Sequence, residues 1–140
     1  MNEPTDQDYR SLAEFRYRIR KFLRTSEELA RAAGIEPQQH QLLLSIKGQG
    51  GFARVADLAE ALQIRHNSTV ELIDRAEAGG FVRRERGEGD RREVNVTLTA
   101  SGEAILRELS RHHLAELSIT GPALISALDG LVGARAKAER

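Results

Sequence analysis

The 140-residue chain has no cysteine and no tryptophan, one methionine, three prolines, two tyrosines and four phenylalanines. The absence of cysteine removes disulfides, thiolate metal sites, cysteine nucleophiles and thiol redox sensing together. So few aromatic residues leave a core built mainly from Leu, Ile, Val and Ala. Neither sign of charge is in excess: Lys+Arg and Asp+Glu number 21 each, and the formal net charge is zero. Binding a polyanion by bulk positive charge is excluded, so any nucleic-acid surface must be local. No uninterrupted apolar run approaches the roughly 20 residues of a membrane span. The opening residues, MNEPTDQDYR, lack the basic and apolar stretches of a signal peptide. Hydrophobic residues at 40% and charged residues at 30% give the balance of a water-soluble globular chain. The expectation is one cytoplasmic domain over 1–140 with no membrane partner.

Apolar residues recur at Leu12, Phe15, Ile19, Phe22, Leu23 and Leu29, one stripe on a first helix over 8–33 that Gly34 ends. Pro37 sits at a tolerated first-turn position of a second helix, whose Leu42, Leu43, Leu44 and Ile46 predict burial on most faces. After the Gly48-Gln49-Gly50-Gly51 loop, Phe52 to Val55 read as a short strand and Asp57 to Leu62 as a short helix. Gln63 to His66 make a turn, and Asn67 or Ser68 is placed to cap a helix running to Ala78. The periodicity then changes. Glu93 to Leu98 alternate polar and apolar residues as a half-buried strand does, with Phe81 to Arg86 as its hairpin partner. Thr99 caps a further helix containing Leu114 and Leu117, and Gly121-Pro122 is expected to break it and open a last helix through Leu124 and Leu128.

A short helix, a tight turn, a second helix and an Arg-tipped hairpin form the order of a winged helix-turn-helix. The expected fold class is mainly α with a small antiparallel β wing, flanked by N- and C-terminal dimerisation helices. A second helix with small polar side chains can reach base edges in the major groove. A loop carrying arginine can enter the narrower, more negative minor groove.

The residues also resemble a known family. Gly34 to His40 and Val55 to Leu62 look like the second and third helices of MarR-type transcriptional regulators. Ser68 to Arg75, followed by Gly80-Phe81-Val82, look like that family's recognition helix and its exit. Asp90-Arg91-Arg92 and Leu98 to Gly102 match the wing tip and the start of the next helix, and the resemblance covers about residues 10 to 118. It implies a homodimer, a repressor or activator on double-stranded DNA, and a small aromatic or anionic effector. The winged helix-turn-helix lobe is expected over 35–98, with dimerisation helices over 8–33 and 100–132. Carried over residue by residue, DNA contact falls on Arg65, His66, Asn67, Ser68, Thr69, Glu71, Arg75, Arg84, Arg86, Asp90, Arg91 and Arg92. Arg92 is the minor-groove arginine in this reading, oriented by Asp90. A small anion would meet Arg16, Tyr17 and His40. Leu12, Phe15, Ile19, Leu114, Leu117, Leu124 and Leu128 would form the dimer interface. Glu93, directly after the wing arginines, departs from the pattern and weakens the local positive field.

Each feature also has a plainer reading. A charged hairpin protects a sheet edge from aggregation, and Glu85, Glu88, Asp90 and Glu93 interleave with the arginines. Its place after a helix-turn-helix favours DNA. No pair among His40, His66, His112 and His113 has ligand spacing, so no metal is expected. Gly87-Glu88-Gly89 is a turn rather than a phosphate loop, and no nucleophile–base–orienter set is apparent, so neither an enzyme nor a cofactor is expected. The competing function is a winged helix used as a protein-interaction module. An apolar wing would favour it; the wing here is charged throughout.

Overall fold

The computed structural model describes residues 2–86 and 93–138, with side chains as far as 133. Its elements run α1 (Asp6–Ala32), α2 (Pro37–Gly48), β1 (Phe52–Arg54), α3 (Val55–Leu62), α4 (His66–Ala78), β2 (Val82–Arg86), β3 (Val94–Leu98) and α5 (Ala100–Ala138). The chain packs as two units, Met1–Glu27 with Arg111–Arg140, and Glu28–Ser110.

In the second unit, the three helices α2, α3 and α4 close over one face of a three-stranded antiparallel sheet of order β1-β3-β2. The alternation read in the sequence holds: Val96 and Leu98 of β3 point into the core, with Val82 of β2 and Ala53 of β1 beside them. Leu98 pairs with Val82 and Val96 with both Arg84 and Ala53. Leu42, Leu43 and Ile46 of α2, Leu58 of α3 and Leu72, Ile73 and Ala76 of α4 share this core with Ala30, Ile35 and, from α5, Leu106 and Leu109. Each fully buried Leu or Ile contributes on the order of 1.5–3 kcal/mol relative to exposure. Leu44 corrects one expectation: it is an exposed residue of α2, so that helix hides two flanks rather than most of its surface.

The turn between α3 and α4 depends on Gln63, which takes the left-handed conformation at φ 56° and ends α3. A Cβ makes that conformation costly. The Gln63 side chain offsets part of the cost by donating from Nε2 to the Glu60 carbonyl at 2.8 Å. The first turn of α5 is fixed to the end of α4 by a latch. The Thr99 N–H donates to the Phe81 carbonyl at 3.0 Å, and its hydroxyl to the Gly80 carbonyl at 2.6 Å. The same hydroxyl accepts the Gly102 N–H at 3.1 Å, as its position ahead of a helix predicts.

The first unit contains most of α1 and most of α5. Thr5 and Asp8 start α1 by a reciprocal cap, each side chain accepting the other's backbone N–H at 3.1 and 2.8 Å. Farther along, His113 Nε2 lies 2.7 Å from the Ser26 hydroxyl and its ring stands edge-on to Phe22. The histidine packs between Ser26 and Phe22.

Pro122 does not break α5; one helix of 39 residues passes through it. An interior proline costs about 3 kcal/mol. Leu114, Leu117, Gly121, Leu124, Leu128 and Leu131 keep alternating three- and four-residue spacing across it, so the same stripe is served on both sides. Continuity has a second effect. Over Ala100–Gly133, α5 is long and apolar enough to cross a membrane by length and composition alone, and none of its most apolar stretch is buried within the protomer. That corrects the expectation that no segment meets such a test.

Candidate nucleic-acid interface

Helix α4 has two sharply different sides. Thr69, Leu72, Ile73 and Ala76 are buried against α2, α3 and the sheet. His66, Asn67, Ser68, Glu71, Asp74 and Arg75 are exposed. Asn67, Glu71 and Arg75 follow one another at four-residue intervals along the outer face, with Ser68 beside them. This polar stripe, on a helix fixed from behind by a full apolar face, can be inserted into a groove without unfolding anything.

The N-terminus of α4 differs from the sequence reading. Arg65, in extended conformation, is the residue before the helix, and no side chain caps its first turn. Asn67 and Ser68 therefore lie inside the helix with their side chains uncommitted to capping. Thr69 is the correction among the groove-facing residues. It is 0% exposed, and its hydroxyl donates to the Arg65 carbonyl at 2.9 Å. Helical geometry puts position 69 on the same side as Leu72 and Ile73, so it faces the core and not the solvent. Since the Arg65 carbonyl also accepts the Thr69 N–H at 3.0 Å, Thr69→Val should cost no more than about 1 kcal/mol in chemical denaturation. It should leave any base preference unchanged in a binding-site selection.

Arg84 on β2 is half-buried and committed to α4. Its guanidinium donates to Asp74 Oδ1 at 2.5 Å and Glu77 Oε1 at 2.8 Å, and its backbone N–H donates to Glu77 Oε2 at 3.1 Å. The residue expected to contact DNA ties the wing strand to the helix and offsets one of the two charges of that helix's carboxylates. Arg75 lies 3.2 Å from Glu36, an exposed pair worth little by itself. Glu93, whose charge was expected to weaken the wing's field, is paired with Arg54 of β1. Arg83 pairs with Glu85 at 2.9 Å. Arg65, His66 and Arg86 are exposed. Arg65 and His66 also border a shallow hollow with Glu60, Gln63 and Ile64. Asp90, Arg91 and Arg92 lie outside the described residues. The partners Asp74, Glu77 and Glu36 went unnoticed in the sequence: Glu36 and Arg75 are 39 positions apart, and no spacing rule links them.

Of the residues expected to meet an effector, Arg16 and Tyr17 are exposed on α1 in the first unit, whereas His40 is in the second, buried with 3% exposure, its Nδ1 3.4 Å from the Gln41 amide. The cleft between α1 and α5 is bounded by Arg18, Lys21, Phe22, Glu116, Leu117 and Leu124, residues the sequence reading did not single out as a group. Among the residues expected at a dimer interface, Leu12, Leu114 and Leu128 are exposed and Phe15, Ile19, Leu117 and Leu124 half-covered. Ile125, also exposed, extends the same uncovered apolar surface, whereas Ile119, 81% exposed, lies on the opposite face of α5.

The sequence profile of the MarR family matches residues 33–93, from the end of α1 to the start of β3. Over that segment the chain is similar to the MarR family. The chain is 40% identical over 73 residues to YfiV, an uncharacterised helix-turn-helix transcriptional regulator of Bacillus subtilis, covering 52% of this chain and 44% of YfiV. This chain spans about half the length of the curated relatives it matches. The fold extends further than the sequence match. AbsC, a MarR-family transcriptional regulator of Streptomyces coelicolor, superposes with a TM-score of 0.78 over 100% of this chain and 99% of its own, at 24% identity. A mutant of Escherichia coli MarR complexed with operator DNA gives 0.67 over 84% and 87% of the two chains, at 22% identity. The winged-helix architecture, mostly helical with a small antiparallel sheet, is thus the MarR architecture.

Proposed function

We propose that this chain is a homodimeric, sequence-specific DNA-binding repressor of transcription that recognises an inverted-repeat operator. The observation that carries the reading is the exposed polar stripe of α4, Asn67, Ser68, Glu71 and Arg75, held rigidly by the apolar face behind it. In this reading each protomer lays α4 in the major groove. Arg92, oriented by Asp90, enters the flanking minor groove, and Arg65, His66, Arg86 and Arg91 meet phosphates. The uncapped first turn of α4 adds backbone N–H groups that favour an anion. That a MarR protein of the same architecture has been crystallised on its operator supports the choice of partner.

The test is selection of bound duplexes from a random pool at low and moderate salt. Recovery of an inverted repeat with half-sites about one helical turn, or a multiple of it, apart is the expected result. Arg92→Ala should weaken binding on all sequences alike, because minor-groove and phosphate contacts carry little base information. Asn67→Ala and Ser68→Ala should instead alter the recovered motif. Equal loss on every duplex would make them backbone contacts.

Dimerisation through α1 and α5 is supported by the apolar residues the protomer leaves uncovered, Leu12, Leu114, Ile125 and Leu128. Leu114, 67% exposed in the protomer, is the informative position. Leu114→Glu leaves the folded protomer little changed but places a charge in the seam. Sedimentation should report a fall from dimer to monomer, and an unchanged dimer would move the interface elsewhere. Effector control by a small aromatic or anionic molecule, with Arg16, Tyr17 and His40 or the α1–α5 cleft as its contacts, completes the proposal. Arg18, Lys21 and Phe22 give that cleft the cations and the ring such a molecule needs. Benzoate, added to the binding reaction as an aromatic-anion probe, tests it by release of DNA.

A further inference from the structure

We infer that Glu71 is the specificity-determining residue of α4 and that it selects a cytosine in each half-site. The inference rests on the DNA-reading function proposed above and adds the base that is read. Helix α4 carries three carboxylates, Glu71, Asp74 and Glu77. Asp74 and Glu77 are engaged by the Arg84 guanidinium, which gives each a donor and offsets one of their two charges. The Glu71 side chain has no hydrogen bond or ion pair with any described residue. It is exposed at the middle of the stripe, one turn after Asn67 and one turn before Arg75, directly opposite the buried side formed by Thr69, Leu72, Ile73 and Ala76. Whatever α4 meets, Glu71 meets first.

A free carboxylate at that place is a liability against DNA unless it finds a donor. Phosphates repel it, and burial in a groove strips its water. Only base edges can compensate, and in the major groove the amino donors are cytosine N4 and adenine N6. Adenine presents N6 beside the acceptor N7, a pair that suits an amide with one donor and one acceptor. An ionised carboxylate only accepts, so N7 would repel it. Cytosine N4 offers a donor with no acceptor beside it on the same base. The carboxylate of Glu71 therefore rejects most base pairs by unpaired charge and accepts one. This is selection by penalty as much as by attraction. The engagement of Asp74 and Glu77 by Arg84 sharpens it, because only one of the three carboxylates remains to be satisfied.

The experiment compares the full-length wild-type chain with Glu71→Ala and Glu71→Gln in selection from a random duplex pool. Affinities are then measured for the winning duplex and for versions altered at single pairs. The wild type should enrich a C·G pair at one fixed position in both half-sites, by about tenfold or more over the other pairs. Glu71→Ala should lose that enrichment while keeping the rest of the motif. It should also bind random duplex more tightly than the wild type, since one repelled charge is gone. Glu71→Gln should move the preference at that position to adenine. A Glu71→Ala protein that keeps the same cytosine would overturn the inference and leave a solvated side chain. A wild type that enriches no sequence at all would overturn the DNA-reading function together with it. The wild-type arm alone separates the two failures.

Discussion

Gly102→Ala is expected to lower the melting temperature by about 10 °C or more at fixed protein concentration. Helix propensity predicts the opposite sign, because alanine gains about 1 kcal/mol over glycine inside a helix. Sterics decide. A Cβ on Gly102 would lie 2.1 Å from the Phe81 carbonyl oxygen and 3.1 Å from its carbon, both backbone atoms. That oxygen cannot simply retreat, since it accepts the Thr99 N–H at 3.0 Å. The end of α4 and the start of α5 would have to part, at a cost of about 3 kcal/mol or more. For a chain of this size each kcal/mol is roughly 2–4 °C. Gly130 is the control. It lies in the same helix with nothing within 4 Å of its absent Cβ, so Gly130→Ala should be neutral or slightly stabilising. If both variants melt at or above the wild type, the close approach at Phe81 is not the constraint claimed for it.

Arg84→Ala should have the largest effect on DNA affinity among residues that touch no DNA in this reading. Two carboxylates, Asp74 and Glu77, lose the group that holds them and offsets one of their charges. They then face an anionic duplex from the helix that must approach it most closely. A loss of about tenfold or more, steepest at low salt and similar for every duplex sequence, is the expected outcome in a direct binding titration. Removing both negative charges by Asp74→Asn with Glu77→Gln in the same chain should recover much of it. Arg84→Lys should recover less, because an ammonium cannot bridge two carboxylates as the planar fork does. If the loss were instead confined to one base pair of the operator, Arg84 would be reading that base itself.

The contrast between these residues shows where the sequence was legible. Period-two alternation at Val94, Val96 and Leu98 located β3 and its buried face, since a strand's faces are written in every second residue. Pro37 and Thr99 marked helix starts through local backbone chemistry. Thr69 was misread because a threonine near a helix start serves a cap, a groove or a core equally well. Only the phase set by Leu72 and Ile73 decides among them. Pro122 was misread because its local penalty is offset by apolar spacing sustained over several turns. Arg84 could not have been read at all. Its partners are on another element, and the pairing exists only once β2 lies along α4. The three-carboxylate imbalance on α4 was hidden for the same reason.

If protomers pair as proposed, the leucine seam of α5 would make each protomer a counter of its own copy number. Under the homodimer proposed above, the operator-competent species varies as the square of protomer concentration wherever protomers are mostly unpaired. Occupancy of the operator would then respond more steeply to synthesis or dilution than one protein on one site allows. Replacements that tighten or loosen the seam far from α4 would move that threshold without altering which sequence is recognised.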